Sequence, residues 1–226
     1  DPGTASPHYN SRAFGKEDET MSCSNRHDAV LVEQMNQLFT DTITKYKDSA
    51  GVIPALAGDV FRHHEEDSAA VSDFGSCQNT AKAPVNVSAP EVFMAARYLN
   101  AMEQQLEQKG VDMRLRLLDA FLANLGQEQS AHRPAKTCPY SVKQDCVIHP
   151  VRPLECRNQS AENAGGAAPE VMSAIQNALQ TALAEAEYPA DLYDLNHALT
   201  IVMHNDDAEI AWLANKDPLA AAALSV

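Results

Sequence analysis

The stretch SAPEVFMAARYLNAMEQQLEQKG, residues 88–110, reads as one helix from its start to its stop. Ser88 with Glu91 three residues on is a capping box, and Pro90 sits in the first turn, where its missing N–H costs nothing. Val92, Phe93, Ala96, Leu99, Met102 and Leu106 then recur at helical spacing on one broad face. Gly110 stands where a helix end favours a left-handed residue. The pattern predicts a helix from about Ala89, capped by Ser88 with Glu91 reciprocating.

The same period runs through most of the chain on either side. Met113, Leu117, Leu118, Phe121, Leu122 and Leu125 mark a second helix, which Gly126 ends. Upstream, residues 28–47 carry Leu31, Met35, Leu38, Phe39, Ile43 and Tyr46 at three- and four-residue steps, with Asp28 in the expected first turn. A weaker pattern (Ile53, Leu56, Val60, Phe61) runs into His63-His64-Glu65-Glu66-Asp67, which reads as a solvated helix end or as donors for a divalent cation. Downstream, Pro169 opens a helix with Val171, Met172, Ile175, Leu179, Ala182 and Leu183. Asp191 is expected to open another, with Leu192, Leu195, Leu199 and Val202. A short helix around Ile210 and Trp212 precedes an Ala-rich tail, and there is no internal repeat. The expected architecture is all-α, a multi-helix domain of about five to seven helices spanning residues 21–226. Residues 1–20 lack periodicity and read as a disordered tail or an appended tag, with Met21 as the natural start.

From Gly126 to Ala168 the period vanishes among Pro134, Pro139, Pro150, Pro153 and the Gly165-Gly166 pair. A structureless loop of about 40 residues inside a compact domain needs an organiser. Residues 126–168 are therefore expected to form a long ordered loop, and three of the five cysteines, Cys138, Cys146 and Cys156, fall inside it. That clustering favours metal ligation or redox chemistry over a secreted disulfide framework, and buried packing of small thiols stays open beside both. The gaps are too wide for a zinc finger or a ferredoxin, so a shared ion requires the loop to wrap around it.

Composition limits the partners. Seventeen basic against 31 acidic residues give a formal charge of −14, a field that repels nucleic-acid phosphates and anionic membrane surfaces but welcomes a cation. No apolar run approaches the roughly 20 residues a membrane span needs, and no signal peptide is visible, so the expected location is the cytoplasm. Hydrophobic residues make up 45% and aromatics only 6%, which suits close-packed helices. There is no Gly-rich phosphate loop, nucleophile elbow or His-Glu-x-x-His motif.

Cys138-Pro-Tyr, then Cys146-Val-Ile-His149, then Arg152-Pro-Leu-Glu-Cys156-Arg157 resembles the second half of the YkgJ-like cysteine-cluster family of zinc- or iron-chelating proteins. That pattern reads Cys-Pro-(Phe/Leu), Cys-x-Ile-Tyr and Arg-Pro-x-x-Cys-Arg. The family's first half is a Cys-x-x-Cys-Cys group, a short valine-rich stretch, a Ser/Thr and a Glu that opens a helix. Cys77, Thr80, Ala81, Val85, Val87, Ser88 and Glu91 fit that frame, and Asp191–Leu199 is similar to the family's helical tail. The resemblance spans roughly residues 70–215. Thr80 and Ala81 stand where the family has adjacent cysteines, so six thiols become four. The resemblance implies a metal site at Cys77, Cys138, Cys146 and Cys156, holding zinc or iron.

Around that core, His149 replaces the family's Tyr and is a substitute ligand or a surface histidine. Cys23 reads as an exposed thiol, His197 and His204 as structural, and Arg152 and Arg157 as anion binders or partners of local carboxylates. Three readings follow. The first is a metal-binding protein using its thiolates for carriage or structural support. The second is an iron- or thiol-dependent enzyme acting on a peptide or small molecule. The third is a helical interaction protein with a protein partner and a vestigial site.

Overall fold

The computed structural model describes residues 23–47, 49–67, 80–81, 85–125, 136–143, 145–161 and 169–223. The helix read from residues 88–110 is α3 (Ala89–Gln108). Its start is the predicted capping box. The Ser88 backbone N–H donates to Glu91 Oε2 at 2.9 Å and the Ser88 hydroxyl to the same oxygen at 2.8 Å. Its end is a Schellman turn, in which Gly110 N–H reaches the Glu107 carbonyl (2.8 Å) and Val111 N–H the Leu106 carbonyl (2.9 Å). Closing that turn takes Gly110 to φ +72°, a conformation only glycine adopts cheaply.

Among the described residues the chain forms eight α-helices and six two-residue strands, an all-α architecture. α1 (Cys23–Tyr46) packs chiefly on α6 (Pro169–Glu185) and then on α2 (Val52–Asp67). α2 packs on α3, α3 on α7 (Leu195–Met203), and α7 on α4 (Met113–Leu125). The expected stripes line this core. Met35, Phe39 and Ile43 come from α1, Ile53 and Leu56 from α2, Phe93 and Leu99 from α3, and Ile175 and Leu179 from α6. Each fully buried side chain of this size contributes about 1.5–3 kcal/mol. The chain's one tryptophan, Trp212 of α8 (Ala208–Leu213), closes one side. It stacks on Tyr188 with 4.7 Å between centroids and tilts against Phe93 at 5.8 Å.

Several expectations need correction. α1 begins at Cys23, so Asp28 lies in its second turn and no acidic residue occupies the first. α4 edges the bundle. Met113 and Leu117 are buried, but Leu118 and Leu122, read as core, are exposed together with Leu115. The helix expected from Asp191 starts at Leu195, because Tyr193–Asp194 (β6) is drawn into antiparallel pairing with Asn86–Val87 (β2), and Asp194 then caps α7 by accepting the His197 N–H at 2.8 Å. Residues 126–168, expected as a long ordered loop, carry short regular elements where described. They contain β3 (Lys136–Thr137), β4 (Ser141–Val142), β5 (Asp145–Cys146), a 3-10 turn at His149–Val151 and α5 (Leu154–Ala161). Residues 1–20, Cys77 and Gly126 lie outside the described residues, as do the side chains of Cys23 and of His63 to Asp67.

Candidate functional site

The three loop cysteines fall on or beside three short elements. Cys138 follows β3, and its carbonyl accepts the Ser141 N–H at 3.0 Å. β4 and β5 form a hairpin in which Ser141 faces Cys146, with Lys143 in its turn at φ +52°. The Val147 N–H donates to the Tyr140 carbonyl at 2.9 Å and extends the hairpin by one bond. Cys156 is the third residue of α5. All three cysteines are partly buried against the core, and no disulfide joins them to one another.

Tyr140 lies between Cys138 and the hairpin. The side chain is 2% exposed, and its hydroxyl donates to Asn196 Oδ1 on α7 at 2.8 Å. Burial pushes that hydroxyl well above the usual tyrosine range. Cys138, Cys156, Asp194 and Cys146 push it the same way, in that order, because negative charge beside a phenol opposes its ionisation. Cys138, Cys146 and Cys156 thus all act electrostatically on one buried hydroxyl.

Side chains outside the loop fix this arrangement. Arg116 of α4 donates to the carbonyls on either side of Tyr140, through Nε to Pro139 at 3.0 Å and through Nη2 to Ser141 at 2.9 Å. Glu91 is 2% exposed and uses its second oxygen, Oε1, to accept the first amide of α5, Leu154 N–H, at 2.8 Å. Glu155 accepts the Asn86 N–H, joining α5 to β2. Arg157 donates Nε to the Arg152 carbonyl at 2.7 Å and Nη2 to that of Pro150 at 3.4 Å, closing the turn ahead of α5. Arg152 itself is buried. Arg116 and Asn196 carry no motif that marks them in the sequence, and Glu91 was legible only as a cap.

His149 is exposed on the 3-10 turn. The His197 ring packs on Phe121 with 4.6 Å between centroids. The His204 Nδ1–H donates to the Thr200 carbonyl at 2.8 Å. Cys77 lies outside the described residues, but Thr80, three residues on, is paired with Thr137 in the β1–β3 ladder, one residue before Cys138.

The donor chemistry suits zinc or iron, since thiolates are soft ligands. Among the described residues, however, no three of His, Cys, Asp and Glu stand close enough together to hold an ion. No helix among the described residues is long and apolar enough to cross a membrane. In comparisons with family models, curated proteins and solved structures, nothing matches this chain.

Proposed function

We propose that this chain is a metal-binding protein of the cysteine-cluster chelating type, with Cys77, Cys138, Cys146 and Cys156 holding one zinc or iron ion for carriage or structural support. The observation that carries the reading is the folding of the Cys138 and Cys146 segments onto one hairpin, where the Cys138 carbonyl accepts the Ser141 N–H and Ser141 pairs with Cys146, with Cys156 following in α5. The β1–β3 pairing supports the fourth ligand, because it runs the segment that follows Cys77 alongside the one that leads to Cys138. Four thiolates complete a tetrahedral site with sulfurs about 2.3 Å from zinc, whereas the three loop thiols alone fall one donor short. A chain of charge −14 gains from a bound cation. The resemblance of the cysteine segments to a chelating family points the same way, and reduced thiols fit a cytoplasmic setting.

The test is metal analysis of chain expressed without a histidine tag, followed by Co(II) titration under reducing conditions. The expected result is one ion per chain and a thiolate-to-cobalt charge-transfer band, lost or weakened in each of Cys77→Ser, Cys138→Ser, Cys146→Ser and Cys156→Ser. Background metal together with no band would overturn the reading. The reading that would then stand is an interaction protein with a protein partner, which the exposed Leu115, Leu118 and Leu122 on the outer side of α4 favour.

A further inference from the structure

A capping box needs one carboxylate oxygen, and Glu91 uses both. Oε2 takes the Ser88 N–H and hydroxyl and so completes the start of its own helix. Oε1 turns away to the Leu154 N–H, 63 residues downstream, in a bond that capping α3 does not require. Leu154 is the first residue of α5, and its amide belongs to the group that no intrahelical carbonyl can satisfy. A carboxylate there also complements the positive end of the helix dipole.

α5 depends on such help. It is eight residues long, LECRNQSA, with Leu154 as its only buried large apolar side chain among those described. Helices this short do not persist unaided in water. Its first turn carries Cys156, so whatever fixes that turn fixes the position of the third loop sulfur. We propose that Glu91 is the positioning residue of the cysteine site, holding Cys156 in place by locking the first amide of α5 to the start of α3. The proposal deepens the thiolate-site reading by assigning its organiser, and its test does not need a bound metal.

The decisive readout is the alkylation rate of each cysteine by N-ethylmaleimide, resolved by mass spectrometry on the full chain, reduced and chelator-treated. Glu91→Gln keeps the shape but offers only one acceptor oxygen to two sets of donors. Losing a charge-assisted bond to a buried amide opens the first turn of α5 and should speed labelling of Cys156 by about tenfold relative to Cys138 and Cys146. Ser88→Ala removes a bond on the α3 side alone and should leave that ratio within about twofold. General loosening of the fold would raise all three rates together, so an unchanged ratio in Glu91→Gln overturns the proposal. Should Glu91→Gln not fold, hydrogen exchange in the unaltered protein decides. The Ser88 and Leu154 amides share one carboxylate and should open with protection factors within about threefold of each other, and unequal protection would overturn it. Absence of Co(II) binding ends the metal reading and leaves the alkylation result to judge Glu91 by itself.

Discussion

Replacing Tyr193 by Phe removes one hydroxyl at the joint between β2, β6 and the C-terminal segment, where Tyr193 also bridges to Ala223. Tyr193 is fully buried, and its hydroxyl donates to Asp217 Oδ1 at 3.2 Å, an oxygen that also accepts the Leu219 N–H at 2.9 Å. At neutral pH the loss of that bond should cost about 1 kcal/mol. At alkaline pH the sign reverses. Burial, then the charge of Asp217, the bond to it and the charge of Asp191 hold the Tyr193 hydroxyl far above the usual tyrosine value. The unfolded chain ionises this tyrosine near pH 10 and the folded chain does not, so its contribution is whole below that pH and is lost as pH rises. The loss is RT ln(1 + 10^(pH − 10)), about 1.4 kcal/mol at pH 11, and it spares the Phe variant. The two stabilities should therefore meet near pH 10.6, and the variant should be the more stable by about 0.4 kcal/mol at pH 11. Urea unfolding at pH 8, 10 and 11, followed by Trp212 fluorescence, measures the difference. Titration of lysines and thiols is common to both proteins and cancels. A gap that stays constant across that range would show that the hydroxyl ionises as freely in the fold as outside it, and the reasoning would fail.

Two glycines should answer to alanine with opposite signs. Gly58 lies inside α2, where an added methyl meets nothing, so Gly58→Ala should stabilise by up to about 1 kcal/mol. Gly110 has equal space but a left-handed backbone, so Gly110→Ala should cost about 1 kcal/mol, and equal shifts in urea midpoint would refute the backbone argument. Ser88→Ala should cost about 1 kcal/mol and lower Tm by about 2–4 °C, since it strips one of three donors from buried Glu91. An unchanged Tm would mean the capping box contributes nothing.

The helices of the core were legible because each carries its own burial pattern. Met35, Phe39 and Ile43 lie on one stripe of α1 and Val92, Phe93 and Leu99 on one stripe of α3, and all are buried. What escaped was structure owed to distant partners. α5 has no apolar stripe, and its start is held by Glu91 and its neighbour Glu155, which bind to segments far away in sequence. Asp191-Leu-Tyr reads as the opening of a helix until Val87 claims Tyr193 for a strand pair. Two-residue strands contain a single step of alternation, too little for a period to register. The cysteine loop stands out as a candidate site from its residue types alone. The side chains that shape it, Arg116 and Asn196, look like ordinary helix residues until their partners across the fold are known.

The packing of α1 on α6 sets a schedule for synthesis. α1 ends at Tyr46 and α6 begins at Pro169. At the ribosome's pace of roughly 5–20 residues per second, the second helix emerges some 6–25 s after the first. For that interval the face bearing Met35, Phe39 and Ile43 has α2 as its only major helical neighbour and lacks its chief partner. A nascent chain stalled anywhere before Pro169 presents this uncovered stripe to its surroundings, which makes the first half of the molecule, rather than the cysteine segment, the part that would recruit a chaperone.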